Sequence, residues 1–171
     1  MSVLVSLFES VAGLPAPLAV MLVAMLPIAE LRLAIPFALA PSSLGGLGMA
    51  PAEAFFFAVI GNLIPVPMVL KLLEPVSIRL RRFSLWECFF DWLFDRTRRK
   101  TETKFERYGL VALCMFVAIP LPFTGAWTGC VAASLFDVQF VRALIAIALG
   151  ILVAGVLITL ASTGVLTVLS V

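Results

Sequence analysis

Histidine is absent from this chain of 171 residues, and only three cysteines and one tyrosine occur in it. Without histidine, a common general base and metal ligand, the sequence offers no Ser-His or Cys-His nucleophilic centre and no His-containing zinc site. Cys88, Cys114 and Cys130 are an odd and widely spaced set, which indicates neither a disulfide framework nor a metal cluster. They read as apolar filler. Charge is scarce too, at 13% of residues against 63% hydrophobic, with a mean hydropathy of +1.16. Soluble domains average about 45–50% apolar. The composition therefore describes an integral membrane protein, and no enzyme, cofactor or metal is expected. The length suits one membrane domain over 1–171, with no room for a separate soluble domain. The opening MSVLVSLFESVAG lacks the positive segment and small-residue cleavage site of a signal peptide, so it is expected to stay as a short interfacial helix.

The few charges are unevenly placed. Ten of the twelve basic residues fall between Lys71 and Arg107. By the positive-inside rule that segment is cytoplasmic, and the cluster is read as an orientation signal rather than a nucleic-acid surface. Within it, residues 83–99 would gather Phe83, Trp86, Phe89, Phe90, Trp92, Leu93 and Phe94 on one arc of a helix. Glu87, Asp91, Asp95, Arg98 and Arg99 fall opposite, the pattern of an amphipathic helix lying on the inner surface.

Two apolar stretches are broken where a membrane helix should be continuous. The first runs over 14–41 and is interrupted by PIAELRLAIP at 27–36; the second runs over 107–135 and is interrupted by AIPLPFTGAWTG at 118–129. Hydrocarbon offers no water to satisfy exposed backbone groups, so such breaks belong where protein or a cavity surrounds them. Pro27, Pro36, Pro120, Pro122, Gly125 and Gly129 are the residues expected to make them. Each stretch reads as a re-entrant helical hairpin; a full span kinked at Pro27 is the alternative for the first. Residues 52–73, interrupted by Asn62, Pro65 and Pro67, and residues 138–164 are long enough to cross a ~30 Å core. If both broken stretches are hairpins, the outer face carries no Lys or Arg; if the second crossed, Arg142 would lie outside, which the positive-inside rule disfavours. The fold class read from this is all-α: two inverted repeats, each a hairpin plus a transmembrane helix, joined by the basic cytoplasmic segment 74–106. Broken helices in inverted repeats are the architecture of many secondary transporters.

Glu30 and Arg32 are the only charges between Glu9 and Glu53. Each costs about 2.5–3.5 kcal/mol at a helix centre, so they should face each other, a cavity or the protein interior. Glu30 could exchange a proton, with Arg32 holding an anion or gating that proton; a purely structural pair is the alternative. In the second break, Thr124, Trp127 and Thr128 sit beside the free amides of an emerging half-helix, a setting that suits an anion or polar headgroup. Against that stands packing, because Gly125 and Gly129 are spaced GxxxG, and Trp127 equally suits an interfacial anchor. Asn62 either plugs the kink or lines the cavity.

PIAELRLAIP at 27–36, GNLIPVP at 61–67, ERYG at 106–109 and PLPFTGAWTG at 120–129 together resemble the small multidrug export protein family of bacteria and archaea. The resemblance covers nearly the whole chain. The family is distantly similar to the DedA or SNARE-associated membrane proteins, so the resemblance implies re-entrant hairpins, proton dependence and export of small molecules. Lipid translocation by a DedA-like scramblase is the alternative it carries. It puts weight on Glu30, Arg32, Pro36, Asn62, Pro120, Pro122, Thr124, Gly125, Trp127, Thr128 and Gly129, and it implies the inner membrane of a prokaryote with several passes. Phe123 stands where a glycine would be expected, which narrows the break. The expected partners are membrane lipids and a small-molecule or lipid substrate, with no nucleic acid. Two spans make a thin wall around a cavity, which favours a homodimer. A membrane adaptor that transports nothing is the third reading.

Overall fold

The computed structural model describes residues 14–80, 102–120 and 124–169, with side chains described over 14–73, 109–120 and 124–166. The helices expected at 1–13 and 83–99, Cys88, and Pro122 with Phe123 lie outside the described residues. All regular structure among the described residues is helical: α1 (Ala16–Met25), α2 (Glu30–Leu39), a 3-10 turn (Ser42–Leu44), α3 (Pro51–Leu63), α4 (Pro65–Leu80), α5 (Glu102–Ala118), α6 (Ala126–Leu135) and α7 (Phe140–Leu169).

Proline sets the first boundaries. A residue before proline is pushed out of the helical region by the pyrrolidine ring. Leu26 before Pro27, Ala40 before Pro41 and Ala50 before Pro51 are accordingly extended, with ψ of 137°, 139° and 145°, and at these residues α1 and α2 stop and α3 starts. Ile64 before Pro65 is the exception. It stays helical, with φ −54° and ψ −48°, and its N–H still reaches the Ile60 carbonyl at 3.1 Å. The 23 residues Pro51–Leu73 thus form one interrupted apolar helix long enough to cross a membrane, and Phe140–Leu166 forms a second of 27 residues. Pro65 and Pro67 bring no N–H to the carbonyls four residues back, which accounts for the interruption.

The first break is shorter than its sequence implies. The chain leaves helix only over 26–29, and α2 restarts at Glu30, so Arg32 and Pro36 lie inside a helix rather than in the break. The end of α2 is closed by its own loop: the amides of Leu47, Gly48 and Met49 donate to the carbonyls of Phe37, Ala40 and Ala38 at 2.8–3.1 Å. Gly45 and Gly48, at φ 77° and 62°, supply the left-handed turns that fold-back requires.

The chain forms two compact units, residues 1–65 with 151–171, and residues 66–150. In the first, α1, α2 and α3 pack on one another through small residues; Ala19, Ala24, Ala34, Ala38, Ala54 and Ala58 are fully buried. Gly61 lets α3 approach α1 so closely that a Cβ there would lie 2.5 Å from the Met21 carbonyl oxygen. Gly155 of α7 likewise lies under the Phe55 ring. In the second unit α5 packs on α6, where a Cβ on Gly129 would stand 2.6 Å from Val117 Cγ2. Gly150 of α7 meets the Cys114 carbonyl at 2.8 Å in the same sense. Between lipid-like surroundings and a buried apolar face there is little hydrophobic gain, so close packing of small residues has to hold the helices together. The opposite faces are apolar as well: Phe56, Ile64, Met68 and Leu72 on the first long helix, and Val141, Ile145, Leu149, Leu152, Val156 and Leu160 on the second, are exposed. Exposed apolar stripes of this length suit hydrocarbon, not water.

Gly61→Ala should cost about 1–3 kcal/mol, because the atoms met are Met21 backbone and cannot swing aside. Gly164→Ala, with nothing within 4 Å of the added methyl, should cost nothing. Unfolding of the purified variants in detergent micelles measures both.

Candidate functional site

Glu30 is the most constrained of the residues singled out by sequence. It is 7% exposed, stands at the first position of α2 directly after the break, and has φ +44°. Its amide donates back to the Leu26 carbonyl at 3.0 Å, which holds the turn over 26–29 closed. For a non-glycine residue the left-handed region costs roughly 1–2 kcal/mol, and such backbone persists only where its surroundings fix it. Arg32 follows two residues further into α2 and is half-buried. Pro36 has no N–H for the Arg32 carbonyl, so the proline acts on the same turn that carries the charges.

Asn62 lies at the midpoint of Pro51–Leu73, 1% exposed, and its Oδ1 has no hydrogen-bond partner among the described residues. A buried amide oxygen at that depth is costly, which sets Asn62 apart from the alanines around it. Glu30, Arg32 and Asn62 belong to the first unit, and Thr124, Trp127 and Thr128 to the second.

The second break leaves helix after Ala118 and re-enters it at Ala126. Thr124 Oγ1 donates to the Ile119 carbonyl at 2.6 Å, tying the two sides of the break together across Pro120. Thr128 Oγ1 donates to the Gly125 carbonyl at 3.3 Å. Both hydroxyl protons are therefore committed to backbone. The donors at this site are the amides of the first turn of α6, before Gly129 makes its bond to Gly125. Trp127 is half-buried and Thr128 exposed. Gly129 is spent on the contact with Val117, so the packing role of the GxxxG spacing is real.

Sequence reasoning gave no site at the far end of α6, where the second unit encloses a cavity of about 650 Å³. Its walls come from α5, α6 and the start of α7, and Asp137, Gln139 and Arg142 are its polar side chains. Asp137 stands at φ +54° in the turn that ends α6. There the amides of Asp137 and Val138 donate to the carbonyls of Ser134 and Ala133 at 3.4 and 2.9 Å, a Schellman closure with aspartate in the position glycine usually takes. The one sequence signal was the run of small residues, Ala112, Ala132 and Ala133, that leaves the space open. Nearby, Lys71 Nζ lies 5.7 Å from the centre of the Phe140 ring, and Ser134 Oγ donates to the Leu73 carbonyl at 3.3 Å. No group of residues able to hold a metal occurs among the described residues.

Long apolar helices with exposed apolar faces, combined with short apolar helices that stop at proline-marked breaks, define a helical membrane protein. The chain belongs to the family described as "Putative small multi-drug export protein", whose sequence model matches residues 30–157. That span begins at Glu30, directly after the first break, and takes in the second break, the first long helix and the first two thirds of the second. No curated protein and no solved structure matches the chain.

Thr124→Val should lower stability by about 0.5–1.5 kcal/mol through loss of the bond to Ile119, while Thr124→Ser keeps the donor and should lose much less. Thermal unfolding in detergent separates the two.

Proposed function

We propose that this protein is a small secondary transporter that exports drug-like molecules across a prokaryotic inner membrane in exchange for protons. The observation that carries the reading is Glu30: a carboxyl group 7% exposed, on left-handed backbone, at the mouth of a broken helix in an apolar chain. Uptake and release of a proton at that carboxyl group would change the charge of the site. Glu30 is the proton carrier in this reading. Arg32 gates that proton, and the turn at 124–128 of the second unit is, taken by itself, a candidate substrate contact. Asn62 adds an unspent acceptor at mid-depth. The family description supports export.

The proposed topology is a re-entrant hairpin plus a span, twice, with the second set inverted by the single crossing between them. α1, α2 and α6 have 10 residues each, ~15 Å at helical rise and half of a ~30 Å core. Support for the second hairpin comes from the Lys71–Phe140 contact. It brings the end of the first long helix, where the basic segment begins, to the start of the second. A chain that leaves and returns at the same level has re-entered between those points rather than crossed. The proposal includes a homodimer and no catalytic chemistry.

Two measurements test this. In proteoliposomes with an imposed pH gradient, ethidium should accelerate proton flux through the wild type, and Glu30→Gln should abolish that response. A mutant that responds like wild type removes Glu30 from the mechanism. In a background lacking Cys88, Cys114 and Cys130, Lys71→Cys and Gln139→Cys should both react with an impermeant maleimide from the cytoplasmic face. Labelling from opposite faces would overturn the second hairpin.

A further inference from the structure

No residue lining the cavity of the second unit is used above for transport, and its chemistry is specific. Of its walls, Leu113 and Ala133 are buried, while Phe116 and Phe136 are 38% and 43% exposed. The cavity therefore opens to whatever surrounds the helices. It sits at the beginning of the long apolar helix Phe140–Leu166; with that helix in hydrocarbon, its start falls at headgroup level and the neighbours of the cavity are lipids. Its charged side chains are of opposite sign, Asp137 and Arg142, five positions apart on either side of the start of α7. The helix ends reinforce them. The C-terminus of α6 adds negative potential beside Asp137, and the N-terminus of α7 adds positive potential beside Arg142. Lys71, held over Phe140, adds a second cation at the same level.

An apolar cavity open to hydrocarbon, with a cation and an anion at its polar end, matches an amphiphile whose head carries both charges. We propose that this cavity is a binding site for a phospholipid with a primary ammonium headgroup, its phosphate held by Arg142 with Lys71 nearby and its ammonium held by Asp137. An ammonium with three N–H groups can donate to the Asp137 carboxylate, whereas a quaternary amine cannot, and a purely anionic head would meet Asp137 as a like charge. The apolar part of the lipid lies against Leu113, Phe116 and Phe136. The site does not depend on the transport reading, and it is tested without gradient or dye.

The test is native mass spectrometry of the full chain, purified and exchanged into micelles containing equal amounts of phosphatidylethanolamine, phosphatidylcholine and phosphatidylglycerol. One phosphatidylethanolamine should stay bound per chain in preference to the others. Asp137→Asn should reduce its retention about tenfold while sparing phosphatidylglycerol, and Arg142→Gln should reduce both. Leu113→Trp, which fills the cavity, should remove the bound lipid; unchanged helical circular dichroism certifies each variant as folded. Soluble phosphoethanolamine should not compete. Equal retention of the three lipids, indifference to Asp137→Asn and Leu113→Trp in folded protein, or displacement by the soluble headgroup would each overturn the site.

Discussion

The constraint on which the rest depends is that every backbone amide and carbonyl at membrane depth needs a partner within the protein. This chain interrupts its helices repeatedly, and each interruption comes with a repair. After α2 the loop 45–49 turns back and caps the carbonyls of Phe37, Ala38 and Ala40. At 26–29 the Glu30 amide bonds to Leu26. Across 119–125 the side chain of Thr124 does what an amide would otherwise do, donating to Ile119. At Pro65 the helix runs on with an altered ladder instead of stopping. Repairs made by local backbone or a single hydroxyl require neighbouring helices to come close and keep lipid away. That requirement explains why glycine stands where α3 approaches α1 and where α6 and α7 approach α5.

Close approach and polar content are linked. Large side chains at Gly61 or Gly129 would push helices apart and open the breaks beside them to hydrocarbon, exposing amides whose desolvation costs several kcal/mol. The bulky apolar residues are instead displaced to the outer faces, as at Phe56, Met68, Leu149 and Leu160. An exterior more bulky than the interior inverts the pattern of soluble proteins, and hydropathy alone cannot reveal it because both faces are apolar.

That inversion also decides what was legible in the sequence. The two long helices were, since length and hydropathy specify them, and prolines 27, 41 and 51 marked real helix boundaries. Pro36 was not readable as a break or an interior residue. Proline forbids only its own N–H, and whether the helix tolerates that depends on packing around Arg32. The Thr-rich turn was legible as a candidate site, but not the direction of its hydroxyl bonds, which are set by the fold-back of Ile119 toward Thr124. The cavity near Asp137 and Arg142 had no motif at all; it arises from small side chains on α5 and α6, two helices that meet only in space. Asp137 in a left-handed helix stop is invisible for the same reason, because glycine is the residue that advertises such a turn.

Glu30 and Asp137 are the described non-glycine residues on left-handed backbone, and both are acidic. Glycine at either place would relieve roughly 1–2 kcal/mol of steric cost. Asp137 is exposed, where a carboxylate keeps its water and the cost is confined to the backbone. Glu30 is buried and bears the additional penalty of desolvating a carboxyl group. A residue that is costly in conformation and in solvation, in a chain with so few charges, is hard to account for by packing: alanine or glycine would fill that turn at lower cost. A carboxyl group at this place is what the proposed proton exchange requires and neither can supply, and this gives Glu30 a stronger claim to function than Arg32, Asn62 or the threonines.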